Sequence, residues 1–442
     1  FSIGMTIPIA LIMGCYQRFL CPGRVIETTL LGFVLLVLDI VAGGWIASIP
    51  AVAAVFTLDA KQLVIALVIY SFAAAALPPC LLVTPRDYLS TLMKIGTLVL
   101  LVIGIIIANP SVKVPGLTEL ASTSTGPTFS GNLFPFLFIT IACGALSGFH
   151  ATIGTGTTPK MIGKERDVLF VGYGAMLVEG FVAIMALVAA FVLVPADYFA
   201  INAPAEKFQA LGMAVQELPR LEAEVQESLM ARPGGSVSLA VGMAHIFSKI
   251  PFMEHLMAYW YHFAIMFEAV FILTAVDAGT RVGRFFLQEM IGKVIPKFAD
   301  KEWVPGVIIT SVLFTGSWGY LVYSGDIGSI WPLFGICNQL LASVTLLIGT
   351  TVILRMNKAK YAWITGVPGL FMTVITFWAG IWLIVNQYLP GGKILLATLS
   401  VIVMLLMLFV IYGTLRRWFA LLAIHTTTKD EYGEDVKVVV QE

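Results

Sequence analysis

Long runs of apolar residues recur along almost the whole chain, and no other feature limits its fold so severely. A helix that crosses a bilayer takes about 20 such residues. Eleven stretches fit that length: residues 1–18, 28–48, 61–83, 89–108, 133–150, 168–194, 256–278, 304–323, 332–354, 361–387 and 393–415. In hydrocarbon every backbone polar group must be satisfied within the protein, which leaves helices or a closed barrel. Runs of this length specify helices. The expected fold is all-α, a polytopic transmembrane helix bundle, with residues 1–424 as its transmembrane domain.

Composition agrees. Charged residues make up 12% of the 442 and hydrophobic residues 59%, against roughly 25% charged in a soluble domain. The 26 basic and 26 acidic residues cancel, so the partners expected are the lipid bilayer and a small molecule, with no nucleic acid. Cys15, Cys21, Cys80, Cys143 and Cys337 show no C-x-x-C spacing and read as small core residues, so no metal site is expected. The chain opens at Phe1 inside an apolar run, without the charged segment of a signal peptide. Further N-terminal spans are expected to precede it.

The basic residues orient the spans. Nineteen of the 26, from Arg18 to Lys437, fall on one side of the alternating crossings, and the positive-inside rule makes that side cytoplasmic. The tail 425–442 is then cytoplasmic, and the long loops 109–132 and 196–250 lie outside. In the second loop Phe208, Leu211, Val215, Leu218, Leu221 and Val225 recur at helical spacing. This predicts one amphipathic helix, either a lid over an entrance or a loop helix packed on its neighbours. A second amphipathic piece, "RVGRFFLQEMIGK" from Arg281, is predicted to lie along the inner surface.

The apolar run from residue 133 leads into "CGALSGFHATIGTGTTPKMIGKERD", which a membrane helix should not tolerate unaided. Residues 144–159 hold four glycines, Thr152, Thr155, Thr157, Thr158, Ser147, His150 and Pro159. Pro159 lacks an amide donor and biases Thr158 away from helix. The segment is predicted to run as helix from about 133, to unwind near Gly148 and to re-form late or become a re-entrant loop. Irregular backbone survives at membrane depth only when covered by protein or lining a wet cavity, and its freed carbonyls and hydroxyls suit a sodium or substrate site. Close helix packing through small residues explains the glycines alone.

Intramembrane acids are the next candidates. Glu179 shares a helical face with Gly172, Ala175 and Ala183, which is expected to point into the bundle. Glu268 lies on one stripe with Tyr261, and Asp39 lies in "LLVLDIVAGG". A charged carboxyl at the bilayer centre costs about 2.5–3.5 kcal/mol on insertion scales, so a functional role is the default, with a protonated acid bonded inside the bundle as the alternative. Asp277 and Arg281, four apart, can pair on one face, with Arg284 beside them. The pair reads as an inner gate or as a helix-end ion pair. Asn338 and Gln339 can join helices or contact a polar substrate. His255 and His262 share a face near an outer end and can relay protons or pack there; without a third ligand they do not make a metal site.

Four stretches, "GALSGFHATIGTGTTPKMI", "GYGAMLVEGFVAIMALVAA", "FEAVFILTAVDAGTRVGRFFLQE" and "WPLFGICNQLLA", with "PRDYLS" as a lesser match, resemble the carbon starvation protein CstA family of bacterial inner-membrane transporters. The resemblance implies uptake of peptides or pyruvate when carbon is scarce, ion coupling, and a fold of inverted five-helix repeats with discontinuous helices. It also implies further N-terminal spans that include a broken helix at the substrate site, which nothing here matches.

Residues and resemblance together lead to a secondary transporter working by alternating access, with H+ or Na+ as coupling ion and no other cofactor. Its expected substrate and ion ligands are Ser147, His150, Thr152, Thr155, Thr157, Thr158, Glu179, Glu268 and Asn338, with Asp277 and Arg281 as the gate. No catalytic residue is expected. The sequence has no G-x-x-x-x-G-K-[ST] motif, against an ATP-driven pump. A channel or a nutrient sensor is the alternative. An intramembrane hydrolase built on Ser147 and His150 is remoter, since a nucleophile needs its base within about 3 Å in a defined geometry. No Lys or Arg falls at mid-membrane in these spans, which favours a zwitterionic peptide near Glu179 or Glu268 over a small anion. Oligomeric state stays open.

Overall fold

A computed structural model describes residues 1–427 apart from 21–23, 48, 78–82, 124, 128–130, 157, 302 and 326, and contains no strand among them. The expected tail 425–442 therefore lies outside the described residues from 428 onward. In chain order the principal helices are α1 (Ser2–Cys15), α2 (Val25–Ala47), α3 (Pro50–Phe56), α4 (Ala60–Ala76), α5 (Val83–Ala108), α6 (Leu133–Thr140), α7 (Ala142–Ala145), α8 (Gly148–Gly156), α9 (Asp167–Phe191, with a π-helical turn at Phe170–Gly174), α10 (Ser236–Ser248), α11 (Met257–Gly292), α12 (Val304–Ser324), α13 (Ile327–Arg355), α14 (Trp363–Leu383) and α15 (Ile394–Thr427).

Among the described residues eight helices, α2, α5, α9 and α11 to α15, are long and apolar enough to cross a membrane. A ninth span results if α3 and α4, bent by 61° at their junction, count as one. The bend has a local cause. Asp59 accepts a bond from the Gln62 amide at 2.7 Å while the Gln62 side chain accepts from the Asp59 amide at 3.1 Å, a reciprocal cap that starts α4 afresh. Eleven spans are not reached among the described residues: in the predicted span 1–18 a 14-residue helix runs on into a π-helical turn at Tyr16–Leu20, and 133–150 is divided among short helices.

Both predicted amphipathic helices differ from expectation. Residues 208–225 do not form one helix but parts of two, Ala205–Ala210 and Leu218–Val225. Gly212 follows the first with φ +64, the left-handed value at which glycine ends helices, and Pro219 sits in the first turn of the second, where its missing N–H costs nothing. The apolar stripe is nonetheless the buried one: Phe208, Leu218, Leu221 and Val225 enter the core and Leu211 and Val215 pack against it. The piece from Arg281 does not turn off along a surface. It continues α11 to 36 residues, roughly 54 Å at 1.5 Å per residue. No proline interrupts it, and Arg281, Arg284 and Gln288 are buried rather than facing water.

The chain divides into two compact units, Phe1–Ser130 with Lys160–Ile327, and Gly131–Pro159 with Gly328–Glu442. In the first, α11 is the central post, packed by α4, α5, α10 and α12. Gly242 lets α10 approach α9 so closely that a Cβ there would sit 2.1 Å from the Ala189 carbonyl oxygen. The loop before α10 is tied down by Asp197, which accepts the Gln216 and Glu217 amides, and by Lys113 donating to Glu217 at 2.8 Å.

In the second unit α6 lies against α14 through edge-to-face rings: Phe134 on Trp378, Phe136 on Trp382 and Phe138 on Phe371, with centroids 5.1–5.5 Å apart. Such pairs add about 0.5–1.5 kcal/mol each beyond area burial. Trp418 of α15 donates its indole N–H to Thr351 of α13 at 2.8 Å. α8 meets α13 at Gly148, where a Cβ would lie 2.0 Å from the Asn338 carbonyl oxygen and 2.5 Å from the Ala342 nitrogen. Backbone cannot yield as a side chain does. Gly148→Ala is expected to cost about 3 kcal/mol, read as a fall in melting temperature in detergent. Gly154→Ala, whose Cβ meets nothing within 4 Å, should leave the melting temperature near that of the wild type.

Candidate functional site

Helices α6, α7 and α8 form one segment interrupted twice, at Ile141 and at Leu146–Ser147. The predicted unwinding near Gly148 thus falls just before it, and helix resumes at Gly148 itself. What bridges the break is α13. Asn338 is buried, and its side-chain oxygen accepts the Phe149 N–H at 2.8 Å while its amide nitrogen donates to the Leu146 carbonyl at 3.4 Å. The Cys143 thiol lies 3.8 Å from the same oxygen. The next residue, Gln339, donates to the Phe138 carbonyl at 2.9 Å. Two consecutive side-chain amides therefore reach backbone groups of the broken segment, as a water-poor interior requires. Gly148 makes the reach possible by admitting α13 to contact distance.

The polar residues of α8 are used locally. The Ser147 hydroxyl accepts the His150 N–H at 3.2 Å, the pattern of a helix N-cap, and lies 2.7 Å from His150 Nδ1. Thr152, Thr155 and Thr158 donate to the carbonyls of Gly148, Thr152 and Ile153 at 3.0, 3.1 and 3.3 Å. These hydroxyls turn back on their own segment. Thr157 lies outside the described residues. The Phe149 and His150 amides, which would face an anion at this helix start, are already accepted by Asn338 and Ser147.

The other candidates belong to the first unit. Asp277 does not pair with Arg281. Its Oδ2 accepts the Tyr70 hydroxyl at 2.6 Å and Arg86 Nη1 at 3.2 Å, with both charged side chains fully buried, and Arg86 also stacks on Tyr70 at 4.7 Å. Arg281 donates instead to the carbonyls of Ala74 and Leu77. Those carbonyls end α4 without helical partners, and a cation suits that end of a helix. Neither Tyr70 nor Arg86 is marked out by the sequence, apart from the "PRDYLS" stretch that contains Arg86.

Glu268 is half-buried on α11, on the stripe of the fully buried Tyr261. Tyr261 donates to Glu227 at 3.4 Å and accepts from Arg232 at 3.5 Å. His262 Nδ1 lies 3.9 Å from Glu227. Glu179 is half-buried on α9, but Gly172 and Ala175 of its expected small face are exposed. The close packing of α9 falls near its other end, at Ala189. Asp39 is buried on α2, and neither carboxylate oxygen has a hydrogen-bond partner among the described residues.

Comparison with known proteins supplies the context. No solved structure matches the chain significantly. The "Peptide transporter CstA" of Bacillus subtilis is 47% identical over 423 residues, covering 95% of this chain and 70% of that protein. The protein of the same name from Campylobacter jejuni is 45% identical over 414 residues, covering 89% and 59%. The "Pyruvate/proton symporter BtsT" of Escherichia coli is 44% identical over 424 residues, covering 86% and 58%. The chain thus spans less than two thirds of the length of the last two. A family model described as carbon starvation protein CstA matches residues 1–379. With most of the chain matched by that model and relatives this similar along nearly its whole length, the chain belongs to the carbon starvation protein CstA family.

Proposed function

We propose that this chain forms part of a secondary active transporter that carries peptides or pyruvate across the bacterial cytoplasmic membrane with protons, by alternating access. The observation that carries the reading is the interrupted α6–α7–α8 segment, held open by buried amides of α13. A helix broken in an apolar setting and braced from a neighbour is the arrangement that transporters use for substrate sites. Related proteins named as a peptide transporter and as a pyruvate/proton symporter supply the two substrate classes and the proton. Of the threonines that suggested sodium, Thr152, Thr155 and Thr158 donate to carbonyls of their own segment, and Thr157 lies outside the described residues. Glu179 and Glu268, half-buried on spanning helices, are the proton carriers in this reading. Residues 196–250 would cover the outer face, and the C-terminus would lie in the cytoplasm, since 19 of the 26 basic residues share its side.

Ser147, His150 and Asn338 are assigned to the substrate region, with Thr152, Thr155 and Thr158 shaping its helix. The inner gate is reassigned. Asp277 closes it with Arg86 and Tyr70, linking α11 to α5 and α4, while Arg281 clamps the end of α4.

Full-length protein in proteoliposomes should accumulate labelled pyruvate or a labelled dipeptide saturably under an imposed proton gradient. Glu268→Gln and Glu179→Gln, assayed separately, are each expected to cut gradient-driven accumulation at least tenfold if that carboxyl carries the proton. Uptake driven by sodium alone, or indifferent to both gradients, overturns the coupling. Asn338→Ala leaves the Phe149 N–H and the Leu146 carbonyl unpaired, and about 1–3 kcal/mol of stability should go with them. A lower melting temperature together with a severalfold loss of uptake is the expected result.

For the gate, a double-mutant cycle is the direct measurement. Arg86→Met or Asp277→Leu alone leaves a buried charge without its partner, at about 3–5 kcal/mol. The double variant should regain most of that stability while its transport stays impaired. Single variants no less stable than the double would show that the pair does not hold α5 to α11.

A further inference from the structure

The face of α5 that meets α11 is polar at three successive turns. Arg86 donates to Asp277 at 3.2 Å, Thr274 donates to Ser90 at 3.0 Å, and Lys94 Nζ lies 4.6 Å from the centroid of the Phe271 ring. Arg86, Ser90 and Lys94 of α5 thus meet Asp277, Thr274 and Phe271 of α11 in turn, the register of two antiparallel helices. Asp87 stands three residues before Ser90 and seven before Lys94. That spacing puts it on the stripe which those two contacts hold against α11.

Asp87 is half-buried, and its Oδ1 is sealed without a hydrogen-bond partner. It makes no ion pair among the described residues, although Asp277, Lys94, Arg86 and Arg281 all lie within electrostatic range. Each cation is engaged elsewhere: Arg86 by Asp277, Arg281 by the carbonyls of Ala74 and Leu77, Lys94 by the Phe271 ring. Around the same point Arg86 Nε and Nη2, Arg281 Nε and Asp277 Oδ1 are also buried without partners. Unmatched buried polar atoms are rare in folded proteins. Here they gather about two carboxyl groups of which only one holds a cation. Two carboxylates in a water-poor site resist ionising together, and a proton is the one ligand that a sealed carboxyl oxygen takes without a cavity.

We propose that Asp87 binds the coupling proton at the inner gate, and that opening of the gate and release of this proton to the cytoplasm are one event. The inference rests on the transport reading of the chain. With the proton in place Asp87 is neutral. It neither repels Asp277 nor draws on Arg86 and Arg281, and the Arg86–Asp277 pair holds α5 to α11. Transfer of the proton from the carboxyl oxygen to water leaves a carboxylate. That carboxylate repels Asp277 and competes for the unspent donors of Arg86 and Arg281, so the link between the helices weakens. A closed gate that favours the protonated acid must, by reciprocity, lose its hold on the proton as it opens. Arg86 and Asp277 are fully buried, whereas Asp87 is not, which makes it the member of the cluster that water reaches.

Infrared difference spectra of the full-length protein in lipid, taken between acidic and alkaline buffer, detect a protonated carboxyl group directly and need no transport. Asp87→Asn is expected to remove one carboxyl band, which Glu179→Gln/Glu268→Gln should keep and Asp87→Glu should restore. In proteoliposomes Asp87→Asn should cut proton-driven accumulation of the labelled substrate at least tenfold, and Asp87→Glu should recover it severalfold. The melting temperature of Asp87→Asn should not fall below that of the wild type, because the Arg86–Asp277 pair is left intact. A spectrum unchanged by Asp87→Asn overturns the inference, as does undiminished accumulation in that variant beside an active wild type. A melting temperature that falls with Asp87→Asn marks a structural carboxylate and overturns it too. A wild type that accumulates neither pyruvate nor dipeptide overturns the transport reading instead, and the infrared comparison still decides whether Asp87 holds a proton.

Discussion

Two backbone groups at the break between α7 and α8, the Leu146 carbonyl and the Phe149 amide, sit where water is scarce, and both are met by the side chain of Asn338. A side-chain amide offers a donor and an acceptor on two separate atoms without carrying a charge. Asn338 can therefore substitute for the missing turn of helix without bringing a charge into an apolar interior. The arrangement depends on Gly148, which admits α13 to backbone contact, and on Gln339, which donates to the Phe138 carbonyl near the end of α6. Without these contacts the break would expose polar backbone, at a cost of several kcal/mol per group in hydrocarbon. The segment would then be driven either to a continuous helix or out of the interior.

The same demand orders the first unit. Arg281 is drawn from its neighbour on the helix to the end of α4, where two carbonyls wait without partners. That leaves Asp277 to Arg86 and Tyr70, from two other helices. A pair within one helix would stabilise that helix alone, whereas the pairs observed join three. Helix packing through lipid-like interiors has little hydrophobic drive of its own, so polar links of this kind carry an unusual share of the adhesion between helices.

What could be read from the sequence follows from how far apart the causes lie. Apolar runs report on themselves, so most spans fall where expected. The unwinding was legible to within a residue or two because Gly, Ser, Thr and Pro act on their own backbone. The stripe Phe208 to Val225 was legible as a buried face but not as two helices, since periodicity measures exposure and only Gly212 and Pro219 speak of continuity. Asp277 and Arg281 passed a local test, spacing by four, yet each found a better partner elsewhere in the chain. Arg86 stands 191 residues from Asp277, and Tyr70 stands 207. No local pattern contains such a pairing. Thr152, Thr155 and Thr158 were legible as polar groups in an apolar run but not as donors to their own segment, because which carbonyl a hydroxyl meets depends on rotamer rather than on spacing.

The π-helical turn at Phe170–Gly174 sets the phase of α9. A single such turn takes in one residue more than an α-turn, so everything beyond it is rotated by about 100° relative to everything before. Gly172 and Glu179, seven apart, would share a face on an unbroken α-helix, but Gly172 lies inside this turn, so that spacing no longer sets their relation. The helix thus behaves as two rods joined by a fixed dial. The direction of its carboxyl is decided by a residue count five to nine positions upstream, so that losing or gaining one residue there would re-aim Glu179 without altering any of its immediate neighbours in sequence.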